Sequence, residues 1–175
     1  RGQSLGSAWY LPEERQIVRT EQILDEMCAA LGGRAAEKVV FNKISTGALS
    51  DLEKVTKQAR AMVTIYGLNE KIGNLTYYDS AQSDYSFTKP YSEKTAHLID
   101  EEISKIIEEQ YQRAIDILTE NKDKLTTLAN LLLDREVIFR DDLENIFGKR
   151  KFKDPHNSNE EETPLKTENT SPTES

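Results

Sequence analysis

The longest periodic stretch of the chain follows Tyr91-Ser92 and constrains the fold more than any other feature. Its apolar residues recur every three or four positions, which predicts one helix of about seven turns, ending at Thr119 or Glu120. They are Ile99, Ile103, Ile106, Ile107, Ala114, Ile117 and Leu118. Because so long an apolar face must be covered by other elements, we expect a helical core around it.

Four shorter segments have the same period and are also predicted to be helices. They run from Thr20, the predicted N-cap, to about Val40; from the Ser45–Asp51 stretch to Gly67; over Lys122–Leu133; and from Asp141 to Gly148. The third would pack back on the long helix as a helical hairpin. Gly32-Gly33 could end the first helix at a left-handed cap, but good helix formers resume at Arg34 without a loop signal. We therefore expect the first helix to run through the two glycines, with another backbone approaching closely there.

Two segments have strand character. Leu5–Leu11 is partly aromatic and ends at Pro12, which predicts a short edge strand. That strand either accepts an extended peptide as an added strand or simply caps a helical core. A weaker strand is predicted at Asn74–Tyr78, within the aperiodic segment 68–90, which is typical of a mobile surface loop. The predicted fold class is mainly α.

Composition separates one domain from a tail. A chain of 175 residues with 37% hydrophobic residues can bury one moderate core. Beyond Lys153 the residues are mostly Ser, Thr, Asn, Glu and Pro without an apolar period, which is typical of disorder. We therefore predict a folded domain over residues 1–148 and a disordered tail over 149–175.

Charge and cysteine content exclude several classes. The net charge of −8 argues against nucleic acid as a partner, and no apolar run is long enough to span a membrane. The single cysteine, Cys28, excludes an internal disulfide and a cysteine metal cage, and its apolar surroundings favour burial. The first residues, Arg-Gly-Gln-Ser, resemble neither a translation start nor a signal peptide, so we interpret the chain as a fragment.

Asp51 is the main candidate for chemistry. It follows Ser45, Thr46, Gly47 and Ser50 in the pattern of a helix start, where free N–H groups and the helix dipole keep a carboxylate ionised. That state suits either a helix cap or a hard metal ligand, and the residue pattern alone favours the cap.

Other polar residues give weaker signals. His97 has no carboxylate or cysteine at a recurring metal spacing, so we expect an ordinary, partly buried histidine. No His-Glu-x-x-His, phosphate loop or nucleophile elbow is present, so no complete catalytic set is expected. The polar residues of the long helix predict a solvated face: Glu101, Glu102, Lys105, Glu108, Glu109 and Arg113.

Three motifs occur together in one order: Leu-Gly-Gly-Arg-Ala-Ala-Glu at Leu31–Glu37, Ser-Thr-Gly-Ala-x-x-Asp-Leu at Ser45–Leu52, and Ala-Arg-Ala-Met-Val-Thr at Ala59–Thr64. Together they closely resemble the peptidase domain of the FtsH family of membrane-anchored, ATP-dependent zinc metalloproteases. The resemblance extends to flanking motifs at Leu5–Glu14, Glu70–Gly73 and Tyr91–Glu102, and it covers roughly Leu5 to Gly148.

The resemblance implies that zinc is held by the two histidines of a His-Glu-x-x-His helix and by the aspartate of the Ser-Thr-Gly-Ala-x-x-Asp motif, here Asp51. The histidines and the general-base glutamate would lie upstream of Arg1, so this fragment would contain no catalytic residue and be inactive alone. Gly32-Gly33 would let its helix pack against the metal helix, and the 68–90 loop would line the cleft.

For the whole protein, the resemblance implies zinc as cofactor and ATP bound in an upstream ATPase domain. It implies a homo-hexamer anchored in a membrane, with the peptidase domain on the cytoplasmic side of, most simply, a bacterial inner membrane. The substrates would be unfolded or unassembled membrane and soluble proteins. The alternative is a non-catalytic helical oligomerisation module, which requires that the upstream segment lack His-Glu-x-x-His.

Overall fold

A computed structural model of the chain describes residues 17–78 and 90–149. Regular structure within these ranges is entirely helical, so the prediction of a mainly α fold is confirmed. The predicted Leu5–Leu11 strand, and all of the predicted tail except Lys149, lie outside them. The elements are α1 (Thr20–Ala30), α2 (Gly32–Phe41), a 3-10 turn (Thr46–Ala48), α3 (Leu49–Thr64), α4 (Glu93–Glu120), α5 (Lys122–Arg135) and α6 (Arg140–Phe147).

The described residues fall into two compact units, one up to Lys122 and one from Asp123. In the first, α1, α2 and α3 each contact α4, as its long apolar face predicted. Ser92 caps α4 by accepting a hydrogen bond from the Thr95 N–H, at 3.3 Å. The main cluster of buried side chains comprises Met27, Leu31, Val55, Ala59, Met62, Val63, Ile72, Ile99 and Ile103.

The prediction of one continuous helix to about Val40 is wrong. α1 ends at Ala30, and the buried Leu31 forms the corner before α2. The Leu31 N–H still donates to the Met27 carbonyl, at 3.0 Å, so the corner is hydrogen-bonded. Both α1 and α2 contact α4. Thr20 is the first helical residue rather than the cap, which is Arg19.

The glycines at this corner leave open space rather than a close contact. In the part of the chain that the structure describes, no atom lies within 4 Å of a Cβ built on Gly32 or Gly33. The expected close approach of another backbone is therefore not found among these residues.

α3 ends before Gly67, as predicted, but the segment that follows is not a strand. Gly67 has a φ of +64°, the left-handed conformation that favours glycine. Asn74–Tyr78 has no regular structure, and within it Tyr77 packs against the main buried cluster. The Tyr77 N–H donates to the Thr64 carbonyl at 2.8 Å, and the Tyr77 ring meets Tyr91 edge-on. Tyr66, just before Gly67, is 61% exposed.

The prediction that the polar face of α4 is solvated is wrong at Glu102. Only 4% of the residue is exposed. Its carboxylate pairs with the Lys71 ammonium and accepts a 2.9 Å hydrogen bond from the Asn69 amide. These bonds lower the pKa of Glu102, with the Asn69 bond contributing most. The Asn69 Oδ1 also accepts hydrogen bonds from the N–H groups of Lys71 and Ile72. These bonds together attach the turn that follows α3 to α4.

The second unit contains most of α5, together with α6, and within it neither helix buries a side chain completely. α6 begins one residue before the predicted Asp141 and ends at Gly148, which has a φ of +85°. The Arg135 guanidinium pairs with Asp142 at 2.9 Å, and Asp142 also accepts from the Phe139 N–H at 3.0 Å. Among the described helices, none has the length and apolar character needed to cross a membrane.

Candidate metal centre

Asp51 is the third residue of α3, so the predicted helix start is confirmed in position. The cap itself lies elsewhere. α3 has no side-chain cap at Ala48, whereas the Ser45 hydroxyl accepts from the Gly47 N–H at 3.2 Å and caps the preceding 3-10 turn. Because the turn runs directly into α3, the backbone is helical all the way from the Ser45 cap to Asp51.

The Asp51 carboxylate is half-buried. It lies one turn before the fully buried Val55, so both residues share the face of α3 that is turned toward the protein. Within residues 17–78 and 90–149, no hydrogen bond or ion pair engages its oxygens. A half-buried carboxylate in the first turn of a helix, with its acceptor positions open, fits the role of one oxygen ligand to a cation.

One carboxylate is an incomplete site. The described residues contain no group of three His, Cys, Asp or Glu side chains that could hold a metal ion. Zinc in a protein is usually held by three or four side chains in tetrahedral geometry. Asp51 therefore fits zinc as a single ligand, and the rest of the set would have to come from outside these residues.

His97 does not supplement this set. Its side chain is 79% exposed, so the prediction of a partly buried histidine is wrong. The Nε2 atom lies 3.3 Å from the carboxylate of Glu101, one turn along the same helix. His97 lies on α4 as a surface residue paired with its helical neighbour.

Glu37, which no local sequence pattern indicated as part of the centre, is bonded directly to Ser45 at the start of the Asp51 stretch. Its Oε2 accepts from the Ser45 N–H at 2.7 Å, and its Oε1 accepts from the Ser45 hydroxyl at 2.6 Å. These bonds lower the pKa of Glu37, the hydroxyl bond contributing most. Glu37 does occur in one of the motifs quoted above, but a motif alone does not say which residue eight positions later it contacts.

Most of the chain matches one known peptidase family. The sequence model of peptidase family M41 matches residues 1–146. The chain belongs to peptidase family M41. The M41 match includes every residue of the candidate centre, from Glu37 through Ser45 to Asp51.

Curated relatives of this M41 chain share extensive identity. It is 65% identical over 150 residues to the ATP-dependent zinc metalloprotease FtsH of Parabacteroides distasonis, covering 86% of this chain and 22% of the relative. It is 56% identical over 147 residues to the FtsH of Karelsulcia muelleri, covering 83% and 24%. The mouse mitochondrial inner membrane m-AAA protease component AFG3L2 is 43% identical over 152 residues, covering 87% and 19%.

These relatives confirm the resemblance to FtsH-type zinc metalloproteases. The chain spans about a fifth of the length of the relatives it matches. It corresponds to a piece of the peptidase domain of such proteins, and the names of the relatives describe much longer chains.

Proposed function

We propose that the protein containing this chain is an ATP-dependent zinc metalloendopeptidase and that Asp51 is a protein ligand of its zinc. The position of Asp51 supports the proposal. Its carboxylate is half-buried, lies in the first turn of α3 and has no partner among the described residues, within a chain that belongs to a metallopeptidase family. In this proposal the two histidine ligands and the general-base glutamate belong to a His-Glu-x-x-His helix upstream of Arg1.

The chemistry divides between the metal and the chain. When bound, zinc acts as a Lewis acid that lowers the pKa of a water molecule and polarises the scissile carbonyl. The Asp51 carboxylate contributes a negative charge that stabilises the dication. Packing of Val55, Ala59 and Met62 in the core keeps α3, and with it Asp51, in a fixed position.

The open face at Gly32-Gly33 supports a second part of the proposal. A helix carrying the histidine ligands would pack there, since both glycines leave open space in the described structure. Residues 79–89 of the 68–90 loop that was predicted to line the cleft lie outside the described residues. We place the full protein in a hexamer anchored in a membrane, most simply a bacterial inner membrane, with the peptidase domain on the cytoplasmic side. Its substrates would be unfolded or unassembled membrane and soluble proteins.

The test compares Asp51→Ala with wild type in the protein extended to include its upstream segment. We expect zinc content, measured by mass spectrometry of the purified protein, and casein cleavage to fall together. The matched control is Glu53→Ala, because Glu53 is an exposed carboxylate two residues further along α3 that pairs with Lys57. Unchanged zinc and cleavage in Asp51→Ala would refute the assignment.

The 175-residue chain by itself provides a second check. One carboxylate cannot supply a tetrahedral site, so we expect weak zinc binding and no casein cleavage from this chain alone. Tight binding of one zinc per chain in calorimetry would contradict the proposal that the other ligands lie upstream.

A further inference from the structure

We propose that Glu37 is a positioning residue for the metal centre, which acts through Ser45 to fix where α3 begins and hence where Asp51 lies. The inference rests on the proposed function of Asp51 as a zinc ligand. It assigns Glu37 a role distinct from that of a ligand, although Glu37 is a carboxylate close in sequence to the centre.

Both carboxylate oxygens of Glu37 already accept hydrogen bonds. The Ser45 N–H donates to Oε2 at 2.7 Å and the Ser45 hydroxyl donates to Oε1 at 2.6 Å. Hydrogen bonds to an ionised carboxylate are shorter and stronger than bonds between neutral groups. A carboxylate that receives two such bonds from one residue is oriented by that residue, whereas the Asp51 oxygens have no partner among the described residues.

The same bonds close the loop that joins α2 to the 3-10 turn. α2 ends at Phe41, and Asn42 follows in the left-handed conformation, with its N–H bonded to the Lys38 carbonyl at 3.0 Å. The chain then returns to Ser45, which Glu37 holds from one turn back along α2. The loop from Asn42 to Ile44 is therefore fixed at both ends.

The residues between Ser45 and Asp51 are all helical. The Ser45 hydroxyl, while donating to Glu37, also accepts from the Gly47 N–H and so starts the 3-10 turn. The turn passes directly into α3 at Leu49, and Ala48 at the junction is buried. A change in the position of Ser45 is thus transmitted to Asp51 through helical backbone. Groups that hydrogen-bond a metal ligand directly typically change metal affinity about 10–100-fold when they are removed, and we expect an effect in the same range for the contact between Glu37 and Ser45.

The test measures zinc affinity in the extended protein by competition with a chromophoric chelator. Glu37→Gln keeps the size of the side chain but loses its charge and one acceptor, and Ser45→Ala removes the hydroxyl. We expect each to weaken zinc binding by about 10–100-fold. The double variant should bind about as weakly as the weaker single variant, because both changes break the same contact. Glu53→Gln, at an exposed carboxylate of α3, is the matched control and should bind zinc like wild type.

Cobalt substitution separates positioning from ligation. If Glu37 acts only through Ser45, the cobalt-loaded Glu37→Gln protein keeps the visible absorption bands of a wild-type donor set. A changed spectrum, together with a harmless Ser45→Ala, would show that Glu37 is itself a ligand and would overturn the proposal. Unchanged zinc affinity with a lower melting temperature would also overturn it, because the role would then be structural only.

The same measurements on Asp51→Ala keep the two proposals apart. Retained zinc in that variant refutes the proposed function, whatever Glu37 does. Loss of zinc in Asp51→Ala, combined with wild-type zinc affinity in Glu37→Gln, refutes the positioning role alone.

Discussion

Replacing Glu102 with glutamine tests the largest departure from the predicted surface of α4. Glu102 is almost fully buried and accepts from the Lys71 ammonium and the Asn69 amide. Glutamine keeps the shape but has one acceptor oxygen, so an N–H group would face one of the two donors. Hydrogen bonds to charged groups contribute about 1.5–3 kcal/mol. Because the Lys71 side chain is 55% exposed, water screens its share, and we expect a loss of about 2 kcal/mol in the free energy of unfolding.

Urea denaturation at neutral pH, followed by far-UV circular dichroism, measures this loss. With a denaturant slope of about 2 kcal/mol per molar, the midpoint should fall by about 1 M. The control is Glu101→Gln, the same substitution at the neighbouring residue, where the carboxylate is exposed and lies 3.3 Å from the His97 Nε2. Surface changes of this kind usually stay within about 0.5 kcal/mol. Equal losses in the two variants would refute the reasoning.

The pH dependence of the same difference provides an independent check. The pKa of Glu102 is lowered from its ordinary value of 4.5, so the folded state favours the ionised carboxylate. Its contribution is therefore fully present above the ordinary pKa and is lost as the pH falls through the lowered, folded-state pKa. We expect the gap between wild type and Glu102→Gln to be constant near neutral pH and to shrink below about pH 4.5. A gap that widens with acidification would contradict this origin.

Two further predictions concern the backbone and the single thiol. Gly67→Ala forces a side chain into the left-handed conformation and should cost about 1–2 kcal/mol, whereas Gly33→Ala, with open space around its Cβ, should gain about 0.4–1 kcal/mol. Thermal unfolding of this chain measures both, and equal shifts of the same sign would contradict the conformational argument. Cys28 is 8% exposed and burial raises the pKa of its thiol, so it should react slowly with a disulfide reagent in the folded chain and rapidly in urea. Equal rates in both states would show that the thiol is accessible.

The helices were largely predictable because their signals are local. The apolar period that follows Tyr91-Ser92 predicted α4 almost to the residue, and Gly67 and Gly148 marked where α3 and α6 stop. The break between α1 and α2 at Leu31 was not predicted from local signals, because Arg34–Phe41 was interpreted as a run of good helix formers. The break depends on how α1 and α2 both reach α4, which the local pattern does not contain.

The candidate metal centre was likewise predictable only in part. The position of Asp51 at a helix start follows from the residues before it, and its role as a zinc ligand is a proposal that the family supports. The bonds from Glu37 to Ser45 cross a loop, so neither periodicity nor capping preference indicated them. His97 was expected to be partly buried because it lies beside Leu98, yet its side chain faces solvent.

The sequence by itself determined the helical segments, most of their ends and the membership of a metallopeptidase family, because each depends on residues that are near neighbours or on whole motifs. Only the tertiary structure decided which carboxylates are engaged. Glu102 is buried against Asn69 and Lys71, Glu37 is bonded to Ser45, and Asp51 is left without a partner among the described residues. All three are acidic residues on helices, and what separates them is the set of donors that packing brings within hydrogen-bond distance.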